Sequence, residues 1–236
     1  MSDKTYAVHE RFATFQGEGV HMGRPAFFLR TYGCPVHCPW CDSAGTWHPK
    51  FVPKGIERMS ALEVLEEVRE AGMSILVVTG GEPTMFDLRP LIDEAHHRVD
   101  VDRVAVHLET SGAFPIRGKL DWITLSPKKW KLPLEVNIQM ADEFKIIVET
   151  PSDIDFYTKL LCAARSDFDV TMPIWLHPEW SQRENKDVLK AISEMVKIGG
   201  GMYRAGWQVH KLYKVDTLDS RSAVPVPLGG DPAKGF

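Results

Sequence analysis

The sequence predicts an α/β fold, an incomplete TIM-like barrel of about six parallel βα units. Two observations carry that expectation. From residue 26 onward, short β-rich runs alternate with helix-like segments, the order that builds a parallel sheet. The polar motifs then fall directly after the strand-like runs: GCPVHCPWCDS after the first, GGEPT after the second, TSG after the third, SPKK after the fourth and HPEW after the sixth. Loops at strand C-termini are where barrels and open parallel sheets bind ligands, so these motifs are expected to converge on one face.

Taken in order, two hairpin-like strands are expected before residue 26. The parallel strands follow as AFFLRTY (26–32), SILVVTG (74–80), RVAVHLET (103–110), DWITLS (121–126), EFKIIVE (143–149) and VTMPIWL (170–176). Ser60 with Glu63 forms a capping box ahead of Leu62, Leu65 and Val68, with Gly72 placed to end that helix. Ser181 with Glu184 repeats the device before Val188, Leu189, Ile192 and Val196, and the glycines at 199–201 stop it. DFYTKLLCAAR reads as an amphipathic helix in which Cys162 is a buried small hydrophobe. The link SGAFPIRGKL is too short for a regular helix, which is why the barrel is expected to be incomplete. WQVHKL (207–212) reads as an added edge strand, and residues 1–215 form one domain followed by a Pro/Gly-rich C-terminal extension, 216–236.

Composition narrows the function. With 236 residues, 44% hydrophobic and 25% charged, the chain can bury one sizeable core. No apolar run approaches the roughly 20 residues a membrane helix requires, and MSDKTYAVHE lacks the apolar stretch of a signal peptide, so a cytoplasmic protein without membrane contact is expected. A formal charge of -4 and the lack of a Lys/Arg block argue against direct nucleic-acid binding and favour a small-molecule partner.

Three of the four cysteines crowd into Cys34-x3-Cys38-x2-Cys41, stiffened by Pro35 and Pro39, which points to metal rather than to disulfides. Three thiolates on a cubane leave one iron open, and that open site can chelate the amino and carboxylate groups of S-adenosylmethionine (SAM). The competing reading is a zinc site completed by His37 or His48. Cys38-Pro39-Trp40-Cys41 completes the pattern C-x3-C-x-aromatic-C, which is the radical SAM signature, and Gly80-Gly81-Glu82-Pro83 resembles the GGEP motif of the same superfamily. Within it, FATFQGEG (12–19), FFLRTYGCPVHCPWCDS (27–43), VTGGEP, HLETSG and LSPK together resemble the 7-carboxy-7-deazaguanine synthase family, over most of residues 10–215.

That resemblance implies a [4Fe-4S] cluster on Cys34, Cys38 and Cys41, SAM and Mg2+ as cofactors, and a carboxylated tetrahydropterin as substrate. It implies that Phe15, Gln16 and Gly17 contact the pterin with Glu18 nearby, that Arg30 pairs with the substrate carboxylate, and that Thr79 hydrogen-bonds the substrate. Gln offers both donor and acceptor to a pterin edge, and the Arg fork suits a carboxylate. Gly81 with Glu82, Trp40 and Asp42, Ser126 and Lys128, and the backbone around His177, Pro178 and Glu179 would surround SAM. Ser43, where the family commonly has threonine, would ligate Mg2+ through its hydroxyl, with helix capping as its alternative; Lys128 could equally belong to a solvated basic face, and Arg30 to an ordinary ion pair. The implied chemistry is reductive cleavage of SAM to a 5'-deoxyadenosyl radical, hydrogen removal from the carboxylate-bearing carbon, then ring contraction with loss of ammonia. An external electron donor such as flavodoxin or ferredoxin and a homodimer follow from the same resemblance. The remaining alternatives are a glycyl-radical-enzyme activase and a zinc-stabilised binding module without catalysis. Shorter family members end soon after a segment like VHKLY and place their terminal carboxylate in the active site, whereas this chain continues past Tyr213 to Phe236.

Overall fold

The computed structural model describes residues 5–97, 103–165 and 172–215, so the C-terminal extension at 216–236 lies outside the described residues. A single nine-stranded sheet runs in the order β3-β1-β2-β4-β5-β6-β7-β8-β9. The six expected parallel strands are β2 (Pro25–Thr31), β4 (Ile75–Gly80), β5 (Ala105–Thr110), β6 (Trp122–Leu125), β7 (Glu143–Val148) and β8 (Ile174–Pro178). They pair in that order, and β9 (Tyr203–Ala205) adds a seventh parallel strand beside β8. The other end is antiparallel, with β1 (Thr5–Phe15) paired to both β2 and β3 (Glu57–Ser60). The sheet is open at β3 and β9, which makes the barrel incomplete.

Side-chain alternation divides this sheet into two chemically different faces. Leu76 and Val78 of β4, Leu108 of β5, Ile123 and Leu125 of β6, Phe144 and Ile146 of β7 and Leu176 of β8 belong to one buried apolar core. Helices α1 (Ala61–Glu70), α2 (Arg89–His96), α4 (Ser152–Ala164) and α5 (Lys186–Ile198) contribute Leu65, Leu91, Leu161 and Val188 to the same core. Between these positions on the strands stand His107 and Glu109, Trp122 and Thr124, Glu143 and Lys145, and Trp175 and His177. The outer face is an apolar layer; the inner face is largely polar on β5 to β8 and apolar on β2 and β4, where Ala26, Phe28, Ile75 and Val77 pack together. The short helix α3 (Glu135–Met140) leads into β7, and residues 111–121 form no regular element, as expected from their length.

Several expectations are corrected. Among the described residues one strand, not two, precedes residue 26. TYAVHERFATF contains no turn residue, and a register shift between Val8 and Glu10 lets it run as one long strand. Its second antiparallel partner, β3, comes after the cysteine loop. VTMPIWL yields a strand only from Ile174, because Pro173 has no N–H to give to a ladder, and the strand extends instead through His177 and Pro178. Residues 170 and 171 lie outside the described residues. WQVHKL is not a strand. The edge pairing ends where the Gly206 N–H bonds the Leu176 carbonyl, and α6 (Val209–Tyr213) turns away as a helix whose first N–H bonds the Gly17 carbonyl at 3.1 Å.

The helix caps are half as expected. Ser60 and Glu63 form the complete capping box, and Gly72 closes the helix at φ 68°. The buried stripe of α1 is Val64, Leu65 and Val68, while Leu62 is exposed. Ser181 caps nothing: it sits in a 3-10 turn (Trp180–Gln182) whose own cap is Glu179, and α5 starts at Lys186 under the Asn185 side chain. Asn185 lies directly before the helix and accepts from the N–H groups of Asp187 and Val188, so it takes the role. On α5 Val188 and Ile192 are buried and Leu189 is exposed, and Cys162 on α4 is exposed rather than buried.

Replacing Ser60 by Ala removes one half of the α1 box and should lower unfolding stability by about 1 kcal/mol, seen as a lower urea midpoint with an unchanged slope. An unchanged midpoint would show that the cap contributes nothing.

Candidate active site

The site begins where neighbouring strands β2 and β4 end side by side. β2 ends at Thr31, the Tyr32 N–H still bonds the Ala7 carbonyl, and the N–H of Gly33, at φ 100°, bonds the Thr46 carbonyl as the cysteine loop starts. The GGEP turn packs directly on this loop: the Gly81 N–H donates to the Thr31 carbonyl at 3.0 Å and the Glu82 N–H to the Gly33 carbonyl at 2.8 Å. Neither glycine tolerates a side chain. Gly80 holds φ 125° with the Thr31 backbone against it, and a Cβ on Gly81 would collide with the Gly33 carbonyl oxygen. Two tryptophans grip the cysteine loop from outside: the Trp130 indole N–H donates to the Val36 carbonyl at 2.8 Å, and the Trp47 indole N–H points to the Cys41 sulfur at 3.5 Å. His37, in the left-handed region at φ 55°, stacks on Trp47 with ring centres 4.1 Å apart.

Cys34, Cys38 and Cys41 line a cleft of about 460 Å³. Burial pushes the Cys38 thiol up to about 12 and the Cys41 thiol up to about 11, and raises Cys34 as well. As free groups they would stay protonated, so a thiolate-binding metal centre would displace those protons. Lys128 sits beside them, buried; its ammonium donates to the Ser126 carbonyl at 2.6 Å and hydroxyl at 2.7 Å and stands 5.5 Å over the Trp40 ring. It is therefore no solvated surface lysine. Among the described residues no three His, Cys, Asp or Glu side chains converge as ligands of a single ion, and His37 and His48 are engaged in ring contacts with Trp47. The donor set fits a cubane, whose three ligands need only face one multi-atom body, better than a Cys3His zinc site.

Glu82 holds the next loop in place. Its carboxylate, almost fully buried, accepts from the Thr84 and Thr110 hydroxyls at 2.7 and 2.6 Å and from the N–H and hydroxyl of Ser111 at 2.9 and 2.5 Å. With its oxygens so occupied, its contribution to the cleft is to fix the TSG loop, and any contact with a cofactor falls to the backbone.

The other end of the cleft is lined by residues 15–18, Arg30, Thr79, Glu109, Lys145 and part of α6. Arg30 and Thr79 are register partners on β2 and β4. The Arg30 guanidinium is paired with Glu10 and donates to the Ser43 hydroxyl at 3.0 Å, and that hydroxyl donates in turn to Asp42 at 3.2 Å. Gln16 donates to Glu109 at 3.1 Å. Lys145 stands between two carboxylates, 2.5 Å from Glu18 and 2.8 Å from Glu109. Burial alone would raise Glu18, but Lys145, His177 and His210 outweigh it and hold that carboxyl well below its ordinary range. Burial raises Glu109, with Lys145 opposing. The helix α6 roofs this end: His210 packs on Gly17, Tyr213 meets the Phe15 ring edge-on at 5.6 Å, and Lys211 pairs with Asp42 at 3.0 Å.

Phe15, Gln16, Gly17, Glu18, Arg30, Trp40, Asp42, Ser43, Thr79, Gly81, Glu82, Ser126 and Lys128 thus share the cleft with the three cysteines. His177, Pro178 and Glu179 do not line it. They belong to the end of β8 and the turn after it; the His177 ring is packed against Gly206, where burial pushes its imidazole down to about 4 despite the nearby Glu18, and Glu179 is spent capping the Trp180–Gln182 turn. Glu10, Glu109, Lys145, His210 and Lys211 were not singled out in the sequence. For two of them a signal existed: a charged residue at an inward position of an otherwise apolar parallel strand, Glu109 in RVAVHLET and Lys145 in EFKIIVE.

The fold and the cysteine-lined cleft define a class. The chain belongs to the radical SAM superfamily, whose family model matches residues 28–192, and membership implies a [4Fe-4S] cluster and SAM. Within it the chain falls in the 7-carboxy-7-deazaguanine synthase family. It is 38% identical over 208 residues to the 7-carboxy-7-deazaguanine synthase of Synechocystis sp., covering 88% of this chain and 92% of that one. Against the Flavobacterium psychrophilum protein of the same name it is 34% identical, covering 87% and 90%. The crystal structure of QueE from Escherichia coli superposes with a TM-score of 0.73 at 28% identity, covering 87% of this chain and 95% of that one.

Gly81→Ala should leave the secondary structure intact by circular dichroism but lose most of the iron bound after anaerobic reconstitution, because the new methyl pushes on the Gly33 carbonyl and shifts Cys34. Full iron loading would show that the two loops are not coupled in this way. Glu82→Gln turns one acceptor oxygen toward the TSG donors into an NH2 group and should cost about 1–3 kcal/mol in a urea titration.

Proposed function

We propose that this chain is a synthase that converts 6-carboxy-5,6,7,8-tetrahydropterin to 7-carboxy-7-deazaguanine with loss of ammonia, a carbon-nitrogen lyase of queuosine and 7-deazapurine biosynthesis. The observation that carries the reading is one cleft that brings three cysteine thiols together with an arginine and a set of hydrogen-bonding groups that includes Gln16, Glu18, Thr79 and Glu109. The names of the relatives point to the same reaction.

When bound, the cluster supplies the electron that cleaves SAM. The chain's own residues do the rest by position. Glu10 and Ser43 steer the Arg30 guanidinium into the cleft, where a substrate carboxylate would join it. Phe15 supplies an apolar edge, and Gln16 with Thr79 supplies polar contacts to the ring. Lys128 with Ser126, and the Gly81 backbone with Trp40 and Asp42, would hold SAM between the thiols and the substrate. Ser43 and Asp42 offer hard oxygens for Mg2+ next to the carboxylate. α6 covers the end of the cleft formed by residues 15–18. No membrane-crossing helix occurs among the described residues, and the reading calls for an external electron donor of the flavodoxin or ferredoxin kind and for a homodimer.

The test is an anaerobic assay with SAM, dithionite, Mg2+ and 6-carboxytetrahydropterin, followed by mass spectrometry. Deoxyadenosine together with a product lighter by one ammonia is expected from the wild type, and neither is expected from Cys38→Ala. Deoxyadenosine without product would overturn the substrate and favour a glycyl-radical activase, and a Cys38→Ala chain that still released deoxyadenosine would overturn the cluster assignment.

A further inference from the structure

We propose that Lys145 is a positioning residue that keeps Glu18 and Glu109 together as a charged acceptor pair for ring N–H groups of the substrate; this rests on the synthase reading above. Glu18 comes from the loop after β1, Glu109 from β5 and Lys145 from β7, so three separate elements meet at one ammonium. Both carboxylates are largely buried, with side chains 7% and 12% exposed, and both line the cleft. Two carboxylates this close repel one another, and in a dry site one of them would take up a proton and change from acceptor to donor. A lysine between them, bonded to both, opposes that uptake, which burial of Glu109 and the neighbouring Glu18 and Glu143 favour.

The surrounding groups leave Lys145 as the direct partner of both acids. On Glu18 the other neighbours are His210, 3.8 Å from the carboxylate, and His177, which burial keeps neutral. On Glu109 the further groups are Gln16, a neutral donor, and Glu143, a third carboxylate. Glu143 does not compensate, since its carboxyl oxygens accept from the Val20 N–H, the Trp122 and Trp175 indoles and the Thr124 hydroxyl. Lys128 is a second cation near this network, but its ammonium is bonded to Ser126.

The experiment measures the KM for 6-carboxytetrahydropterin against pH in wild type, Lys145→Met and Lys145→Arg, with a thermal melt and the cluster's visible absorption as checks that each variant is folded and loaded. Without the cation one carboxylate stays protonated near neutrality and loses that proton as pH rises. Lys145→Met is therefore expected to raise KM about tenfold near neutral pH, the loss of about 1.4 kcal/mol of acceptor strength, with the defect shrinking toward alkaline pH. Lys145→Arg, which retains the charge, is expected to restore a flat profile. A Lys145→Met enzyme with the wild-type KM, or with the same defect at every pH, would overturn the proposal. Should Lys145→Met not fold, Glu109→Gln in the native lysine background decides: a raised KM with no new pH dependence supports the acceptor pair, and an unchanged KM overturns it. A wild-type enzyme that forms no product at all would instead overturn the synthase reading, which keeps the two failures apart.

Discussion

The rest of the site depends on one close backbone approach. The end of β4 touches the start of the cysteine loop through Gly80 and Gly81, and the two hydrogen bonds from Gly81 and Glu82 to Thr31 and Gly33 tie the loops at bonding distance. In a parallel sheet adjacent strands deliver their following loops side by side, but only residues without Cβ atoms let the backbones meet. Once they meet, Glu82 is buried next to the TSG loop and recruits it through the hydroxyls of Thr110 and Ser111. Three loops are thereby locked in sequence: cysteines to GGEP, and GGEP to TSG. Residues 15–18 and Arg30 can then be held at a fixed distance from the thiols across one cleft.

The second constraint is electrostatic. A barrel interior lined by Glu109, Glu143, Lys145 and His177 would be unstable if any charged group were left unpartnered. Each acid is instead matched to donors from a different element, and the loop of residues 17–20 enters the interior to take part: the Val20 N–H meets Glu143 at 2.9 Å and Glu18 meets Lys145. The motif FQGEG needs its glycines for this entry, since a Cβ on Gly17 would strike the His210 ring and one on Gly19 would strike the Glu143 carboxylate. The polar interior thus both stabilises the loop and defines the shape of the cleft.

These two constraints explain which parts of the protein were legible in the sequence. The parallel strands were readable because their outer face is a run of branched apolar residues, and the cysteine and GGEP loops because their spacing and their glycines follow from covalent and backbone geometry. Ser60 and Glu63 were readable because a capping box is a local device. Asn185 was missed because Ser181-x-x-Glu184 offers the same letters in a segment whose backbone is committed to the turn capped by Glu179. The assignment of HPEW to the cleft failed for a similar reason. Following a strand puts a motif at the correct edge of the sheet but does not say where the strand stops: His177 faces the interior but lies within the ladder, its ring packed on Gly206, and Glu179 caps the turn that follows.

The case of α6 shows where local pattern loses to tertiary contact. Residues 207–212 alternate well enough to be an edge strand, and β8 already had a short partner in β9. What decided their conformation was the cleft: the Val209 N–H takes the Gly17 carbonyl, His210 fills the space left by a missing Cβ, and Lys211 finds Asp42 beside the cysteines. Both partners, Gly17 and Asp42, lie far away in sequence, on the loops after β1 and β2, so no window of local residues could have shown them. A segment that ties the loop after β1 to the cysteine loop is placed by the site it borders, and its helical form lets His210 and Lys211 meet two different loops at once.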